Sequence, residues 1–198
     1  MNEISINKIS KSFGSKRVLS DFSETIPYGK TTVIMGESGC GKTTLINIVM
    51  GLEKPDSGDI SGIPERFTAV FQEDCLCEDF SAVSNIRAVT GKKLSKGEIS
   101  EALGRFGLTA KDVSCPVREL SGGMKRRVAI ARAILGDGEL IIMDEPFKGL
   151  DEETRDAAIA FVLQETVFKK KTLIVITHSP DEAKLLGADS VLNFENYF

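Results

Sequence analysis

The stretch Gly36-Glu37-Ser38-Gly39-Cys40-Gly41-Lys42-Thr43 constrains this chain more than any other. It matches G-x-x-x-x-G-K-[ST], a glycine loop whose backbone N–H groups turn inward on phosphate oxygens. The motif has meaning only between a strand and a helix, and the flanks supply both. Thr32-Val33-Ile34-Met35 is a short apolar, β-branched run of the kind that forms a strand buried on both faces. Leu45, Ile48, Val49 and Leu52 recur at i, i+3, i+4 and i+7, which predicts an amphipathic helix reaching Leu52. The N-terminus of that helix adds its positive dipole end to the loop. Gly36, Glu37, Ser38, Gly39, Cys40, Gly41, Lys42, Thr43 and Thr44 are therefore the candidate nucleotide-phosphate loop. Lys42 would reach the β- and γ-phosphates and the Thr43 hydroxyl would ligate Mg²⁺.

Further apolar runs repeat this arrangement of a buried strand followed by polar groups. Phe67–Phe71 ends at Gln72, Leu140–Met143 ends at Asp144-Glu145, and Leu173–Ile176 ends at Thr177-His178. Strands alternating with helical segments call for a parallel sheet with helices on both faces, and ligands in such sheets sit at the carboxyl ends of the strands. Those ends carry the glycine loop, Gln72, Asp144-Glu145 and His178, so four strands aim polar groups at one place. Asp144 would hold Mg²⁺ and Glu145 would polarise the attacking water, although acids after a strand also serve as plain helix caps. His178, the only histidine, would face the γ-phosphate and stabilise transition-state charge. Gln72 would orient water or ligate the metal.

Ahead of the loop strand, Ile4, Ile6 and Ile9 alternate with polar residues, and Val18–Ile26 gives a second strand-like run. Turns at Phe13–Lys16 and Pro27–Gly29 complete an antiparallel piece. Pro55–Gly58 reads as a turn. From about 73 to 119 the character changes to polar helical segments, including Ser81–Val89 and Ser95–Phe106, which predicts a helical subdomain inserted in the α/β core. Beyond it, Ser121-Gly122-Gly123 opens a helix and forms a second anion nest. One chain with one phosphate loop and one unfilled nest points to a nest that serves a partner's nucleotide.

Composition narrows the alternatives. Lys plus Arg total 25 against 29 Asp plus Glu, a net charge of −4, so there is no electrostatic case for nucleic acid. No apolar run approaches the roughly 18 residues that a membrane helix needs. The N-terminus lacks the regions of a signal peptide, which predicts a cytosolic chain that meets a membrane only through a partner. Cys75-x-Cys77 with Cys115 fits no standard zinc spacing.

The set G-E-S-G-C-G-K-T, V-F-Q-E, L-S-G-G-M-K-R-R-V-A-I-A-R-A, L-I-I-M-D-E-P, G-L-D and T-H-S resembles the nucleotide-binding subunits of ATP-binding-cassette transporters over nearly the whole chain. By resemblance, Gly36–Thr44 is the Walker A loop, Gln72 the Q-loop glutamine and Leu120–Met124 the signature. Asp144 closes Walker B, Glu145 is the catalytic glutamate, Asp151 lies in the D-loop and His178 is the switch histidine. Phe13 occupies the place of the aromatic that stacks on adenine. The resemblance implies one cassette ATPase domain over 1–198: a P-loop NTPase core with a mostly parallel sheet, an N-terminal antiparallel subdomain and the inserted helical subdomain. It also implies ATP and Mg²⁺ as ligands and a head-to-tail dimer, with each ATP between one copy's P-loop and the other's Ser121, Gly122 and Gly123.

The flavour is that of bacterial importers of the nitrate, sulfonate and taurine kind. The implied partners are a transmembrane permease subunit and an extracytoplasmic solute-binding protein, which would place the chain on the cytoplasmic face of the membrane. Export, lipoprotein release and cell division share the same catalytic motifs and stand as the alternative. Met124 replaces the glutamine common in the signature. The segment between Gly58 and Phe67 is short, which predicts a trimmed hairpin. Ser190–Phe194 reads as an edge strand, and the chain stops soon after the strand that ends at His178, so regulation through a C-terminal extension is not expected.

Overall fold

The computed structural model describes residues 3–194. They begin with the expected hairpin: β1 (Glu3–Phe13) pairs antiparallel with β2 (Lys16–Pro27). Ile6 and Ile9 stand three residues apart and would face opposite sides of a regular strand. The register shifts between them, and Lys8 takes a left-handed φ of 48°, so both side chains return to the core. Strand β3 (Thr31–Met35) follows, with its first four residues buried, and leads through the glycine loop into α1 (Lys42–Val49).

Helix α1 is shorter than its apolar spacing predicts. Met50 caps it, Gly51 turns the chain at φ 70°, and Leu52 N donates back to Asn47 O at 2.8 Å. This left-handed glycine ending carries Leu52 off the apolar face and leaves it 63% exposed. The sequence also concealed β4 (Ser57–Ser61). It lies where a turn and a trimmed hairpin were expected, and it pairs antiparallel with β1 to give a three-stranded sheet in the order β2-β1-β4. Four of its five residues are exposed, so no apolar alternation announces it.

Next come β5 (Phe67–Val70), α2 (Ala82–Thr90), α3 (Lys96–Arg105), α4 (Ala110–Ser114) and a single 3₁₀ turn at Val117–Glu119. The caps at Ser95 and Thr109 are reciprocal boxes with Glu98 and Asp112, which fix where α3 and α4 begin. The remaining elements are α5 (Gly122–Leu135), β6 (Leu140–Asp144), α6 (Glu152–Phe168), β7 (Thr172–Ile176), α7 (Pro180–Leu185) and β8 (Ser190–Asn193).

Strands β5, β6, β7, β3 and β8 form a parallel sheet in that order. The period-two pleat sorts each buried run between two cores. Ile141, Met143, Leu173 and Val175 join α5, α6 and the helices of the inserted lobe on one face. Leu140, Ile142, Ile174 and Ile176 join α1 and the antiparallel strands on the other. The lobe's apolar residues, such as Ile86, Ile99 and Leu103, belong to the same cluster as the sheet, so its packing is continuous with the core. Among the described residues no helix is long and apolar enough to cross a membrane.

Candidate active site

Because the sheet is parallel, the carboxyl ends of β5, β6, β7 and β3 open on the same edge. They bring together what the sequence distributes over more than a hundred residues. A cavity of about 310 Å³ is lined by Ser38, Gly39, Gly41, Lys42, Thr43 and Thr44 from the loop, by Phe13 from the hairpin, and by Gln72, Asp144 and Glu145 from the strand ends. A larger cavity of about 670 Å³ lies within the helical lobe and contains none of these groups.

The loop is held open by its glycines. Gly41, at φ 107°, leaves no room for a side chain, because a Cβ there would lie 2.9 Å from Val18 O. Gly41 stands at the N-cap of α1 with no side-chain cap, so no serine or aspartate oxygen competes for the first N–H groups of the helix, an arrangement suited to an anion. The Lys42 ammonium donates to Gly36 O at 2.8 Å and Glu37 O at 2.6 Å, folded back on its own loop. Gly36, Glu37 and Cys40 shape the loop without lining the cavity, and Cys40 packs against the apolar cluster behind it.

Thr43 Oγ1 donates to Asp144 Oδ2 at 2.8 Å. Asp144 is 2% exposed, and its other oxygen, Oδ1, is buried with no hydrogen-bond partner. Burial raises the Asp144 carboxyl above the usual aspartate range; the Thr43 hydrogen bond opposes this and the neighbouring Glu145 charge adds to it. An orphaned, costly carboxylate oxygen beside a threonine hydroxyl is the donor set that a hard cation fits.

Glu145 follows at a left-handed φ of 45°, a conformation that costs a non-glycine residue about 1–3 kcal/mol and recurs at functional positions. Its carboxylate accepts from Lys148 Nζ at 3.0 Å and lies 3.3 Å from His178 Nδ1. Burial pushes its pKa up, but Lys148 and His178 outweigh burial and hold it below the usual glutamate range. It is therefore ionised at neutral pH and able to accept a proton. His178 is an exposed residue that reaches the site through Glu145, and Gln72 is exposed at the mouth.

Ser121, Gly122, Gly123 and Asp151 are not brought to this cavity. Ser121 caps α5 by accepting from Met124 N at 3.3 Å, and Asp151 caps α6 by accepting from Thr154 N at 2.9 Å. Gly122 lines a second cavity of about 330 Å³, which also takes in Gln72 and Glu145.

Sequence reasoning missed Arg126. The residue is 6% exposed, and its side chain spans the ends of β5 and β6 from the first turns of α5. The signal was available: Arg126, Ala129, Ile130 and Ala133 share the buried face of α5, where a guanidinium must find acceptors.

A family model described as ABC transporter matches residues 19–148. The aliphatic sulfonates import ATP-binding protein of Rhodococcus jostii is 38% identical over 98% of this chain and 71% of its own length. The taurine import ATP-binding protein of Pelagibacter ubique is 38% identical over 85% of this chain and 68% of its own length. Among solved structures, a bacterial ABC transporter cassette determined as a dimer superposes with a TM-score of 0.84 at 25% identity, covering 96% of this chain and 94% of that one.

Proposed function

The chain belongs to the ABC transporter family, and on that premise we propose that it is the ATP-hydrolysing subunit of an importer, powering uptake of a small solute through a separate membrane subunit. The observation that carries the reading is the meeting of Lys42, Thr43 and Asp144 with an ionised Glu145 at one sheet edge. ATP is the substrate. Exchanging its two loop carbonyls for phosphate oxygens turns Lys42 onto the β- and γ-phosphates, joined by the N–H groups at the start of α1. Thr43 and Asp144 would hold Mg²⁺, with Gln72 at the same mouth, and the ion would neutralise charge on the phosphates. Glu145 takes the proton from the attacking water, and His178 and Lys148 fix the direction of its carboxylate.

The nest at Ser121, Gly122 and Gly123, together with Asp151, serves the nucleotide of a second copy. Ser121, Gly123 and Asp151 lie outside both cavities that contain Glu145, and the similar solved cassette is a dimer. A permease subunit and an extracytoplasmic solute-binding protein complete the assembly, which places this chain at the cytoplasmic face of the membrane. The relatives' names as import ATP-binding proteins support that direction of transport. Affinity purification from native membranes tests it. Recovery of a channel subunit with a solute-binding protein is expected, and an efflux channel or a lipoprotein-release complex would overturn import.

Phe13 is 50% exposed on the rim of the cavity with the Lys11 ammonium 5.2 Å from its ring centroid. It is not a core phenylalanine, so Phe13→Ala should leave the melting temperature unchanged. Loss of stacking on adenine should weaken ATP binding by about 1–3 kcal/mol. Unchanged nucleotide affinity, measured by titration, would remove Phe13 from the site.

The coupling surface to the membrane subunit follows Gln72 at Cys75–Phe80. Leu76 packs on the lobe's own core, whereas Phe80 is 55% exposed. Glu78 pairs with Lys125 at 2.9 Å, and Asp79 with Arg118. Phe80→Ser combined with Glu78→Lys and Asp79→Lys should therefore keep fold and basal hydrolysis while assembly with the permease is lost. Transport at the unaltered rate by that triple variant would place the coupling contact elsewhere.

A further inference from the structure

Strands β5 and β6 pair as far as Val70 and Met143, but the segments beyond, which carry Gln72 and Glu145, have no hydrogen bond to each other among the contacts described; one side chain ties both to α5. Arg126 Nε donates to Pro146 O at 2.8 Å, and Nη2 donates to Glu145 O at 2.7 Å and Asp144 O at 3.1 Å. Nη1 turns the other way, donating to Phe71 O at 2.6 Å, with Gln72 O at 3.3 Å and Asp74 Oδ1 at 3.2 Å also in reach. Three successive carbonyls at the end of β6, those of Asp144, Glu145 and Pro146, thus face one buried cation, with Glu145 in a left-handed turn between the other two. Farther along α5, Arg132 donates to Asp74 O at 3.1 Å and Cys75 O at 2.7 Å, so the segment after β5 is laid along the helix at two points. Only Arg126 also reaches the segment after β6.

We propose that Arg126 is a positioning residue that fixes Gln72 and Glu145 relative to one another and to the helix that begins at the Ser-Gly-Gly nest. The inference rests on the roles given above to Gln72 and Glu145. The requirement is geometric as well as ionic. A guanidinium presents five N–H groups in a rigid fork, enough to serve two chain segments on opposite sides. A lysine at 126 keeps the charge, but its three donors radiate from one point. A glutamine would turn an acceptor toward some of these carbonyls and leave them unpaired. Arg126 does not line the cavity formed by the phosphate loop but the neighbouring one shared by Gln72 and Glu145, so ATP binding and turnover should respond differently to its loss.

The test uses the full chain, with steady-state hydrolysis and equilibrium ATP binding measured on Arg126→Lys and Arg126→Gln, and with Glu145→Gln as a control. Both Arg126 variants should bind ATP with Kd and KM within about twofold of the parent, while kcat falls roughly 10- to 100-fold, the scale of a small misplacement of a catalytic group. Should either variant fail to fold, Asp74→Asn keeps every carbonyl paired and loosens only the Gln72 side; kcat should then drop about threefold at unchanged KM. A folded Arg126→Lys with the parent's kcat, while Glu145→Gln is inactive, overturns this inference and leaves the role of Glu145 intact. So does a loss in which ATP binding weakens as much as kcat, or an Asp74→Asn variant with unchanged kcat. Normal turnover in Glu145→Gln itself would instead remove the reading on which the inference rests.

Discussion

Glu145→Gln should slow ATP hydrolysis by about 10²- to 10⁴-fold, the usual contribution of a positioned general base, while ATP still binds. The amide keeps the size and reach of the carboxylate but cannot take a proton from water. Lys42 and Thr43 open α1 and Asp144 closes β6, and the substitution alters none of their side-chain atoms. Bound ATP therefore persists, and size-exclusion chromatography in Mg²⁺ and ATP should show the variant accumulating as a dimer. A variant that remains monomeric, or that turns over normally, would remove Glu145 from the role of base. Its environment adds a pH signature. Because Lys148 and His178 hold the carboxyl below the ordinary glutamate range against the effect of burial, the base remains ionised as pH falls through that range. The acid limb of kcat/KM should lie below an ordinary glutamate titration and move upward in Lys148→Ala.

Asp144→Asn should also abolish turnover, with the opposite sign for stability. In the ligand-free fold the carboxyl is buried, its Oδ1 has no partner, and its pKa is raised. Between the unfolded aspartate value and the raised folded value, the folded chain binds more protons than the unfolded chain. Stability from this group is therefore present at low pH and lost as pH rises through the folded pKa. At neutral pH, above the unfolded aspartate range, the buried carboxyl works against folding, and an uncharged isostere relieves that cost. The ligand-free asparagine variant should melt no lower than the parent at pH 7. The parent should gain thermal stability from Mg²⁺ with nucleotide, and the variant should gain far less, because ligand that binds only the folded state stabilises in proportion to its affinity. A variant that melts well below the parent without ligand, or that gains as much from Mg²⁺ and ATP, would contradict the reading of Asp144 as a strained metal ligand.

Most of the candidate site was legible in the sequence because each member is tied to a local pattern. A buried β-branched run fixes a strand, and the polar residue that ends it must emerge at the strand's carboxyl edge; Asp144, Glu145 and the glycine loop follow from that alone, whereas Gln72 follows β5, an edge strand in which only Val70 is buried and not the buried run that Phe67–Phe71 predicted. Local pattern was weaker where the decisive contact is remote. Leu52 continues the apolar spacing of α1, yet the left-handed turn at Gly51 removes it from the face it was expected to share. Strand β4 pairs with the backbone edge of β1 and has Ile60 as its one apolar residue, so its mostly exposed sequence carries no strand signature. The nest at Ser121–Gly123 is visible as a motif, but its separation from the cavity is set by the way α5 packs on the sheet. Arg126 shows the division most clearly. The sequence placed a cation on the buried face of a helix. Only the fold, by bringing residues 71–74 and 144–146 within reach of one guanidinium, determined which carbonyls it would satisfy. Hydrophobic period and glycine geometry act within a few residues and can be read along the chain, whereas the pairing of buried polar groups is a long-range condition that exists only once the strands are side by side.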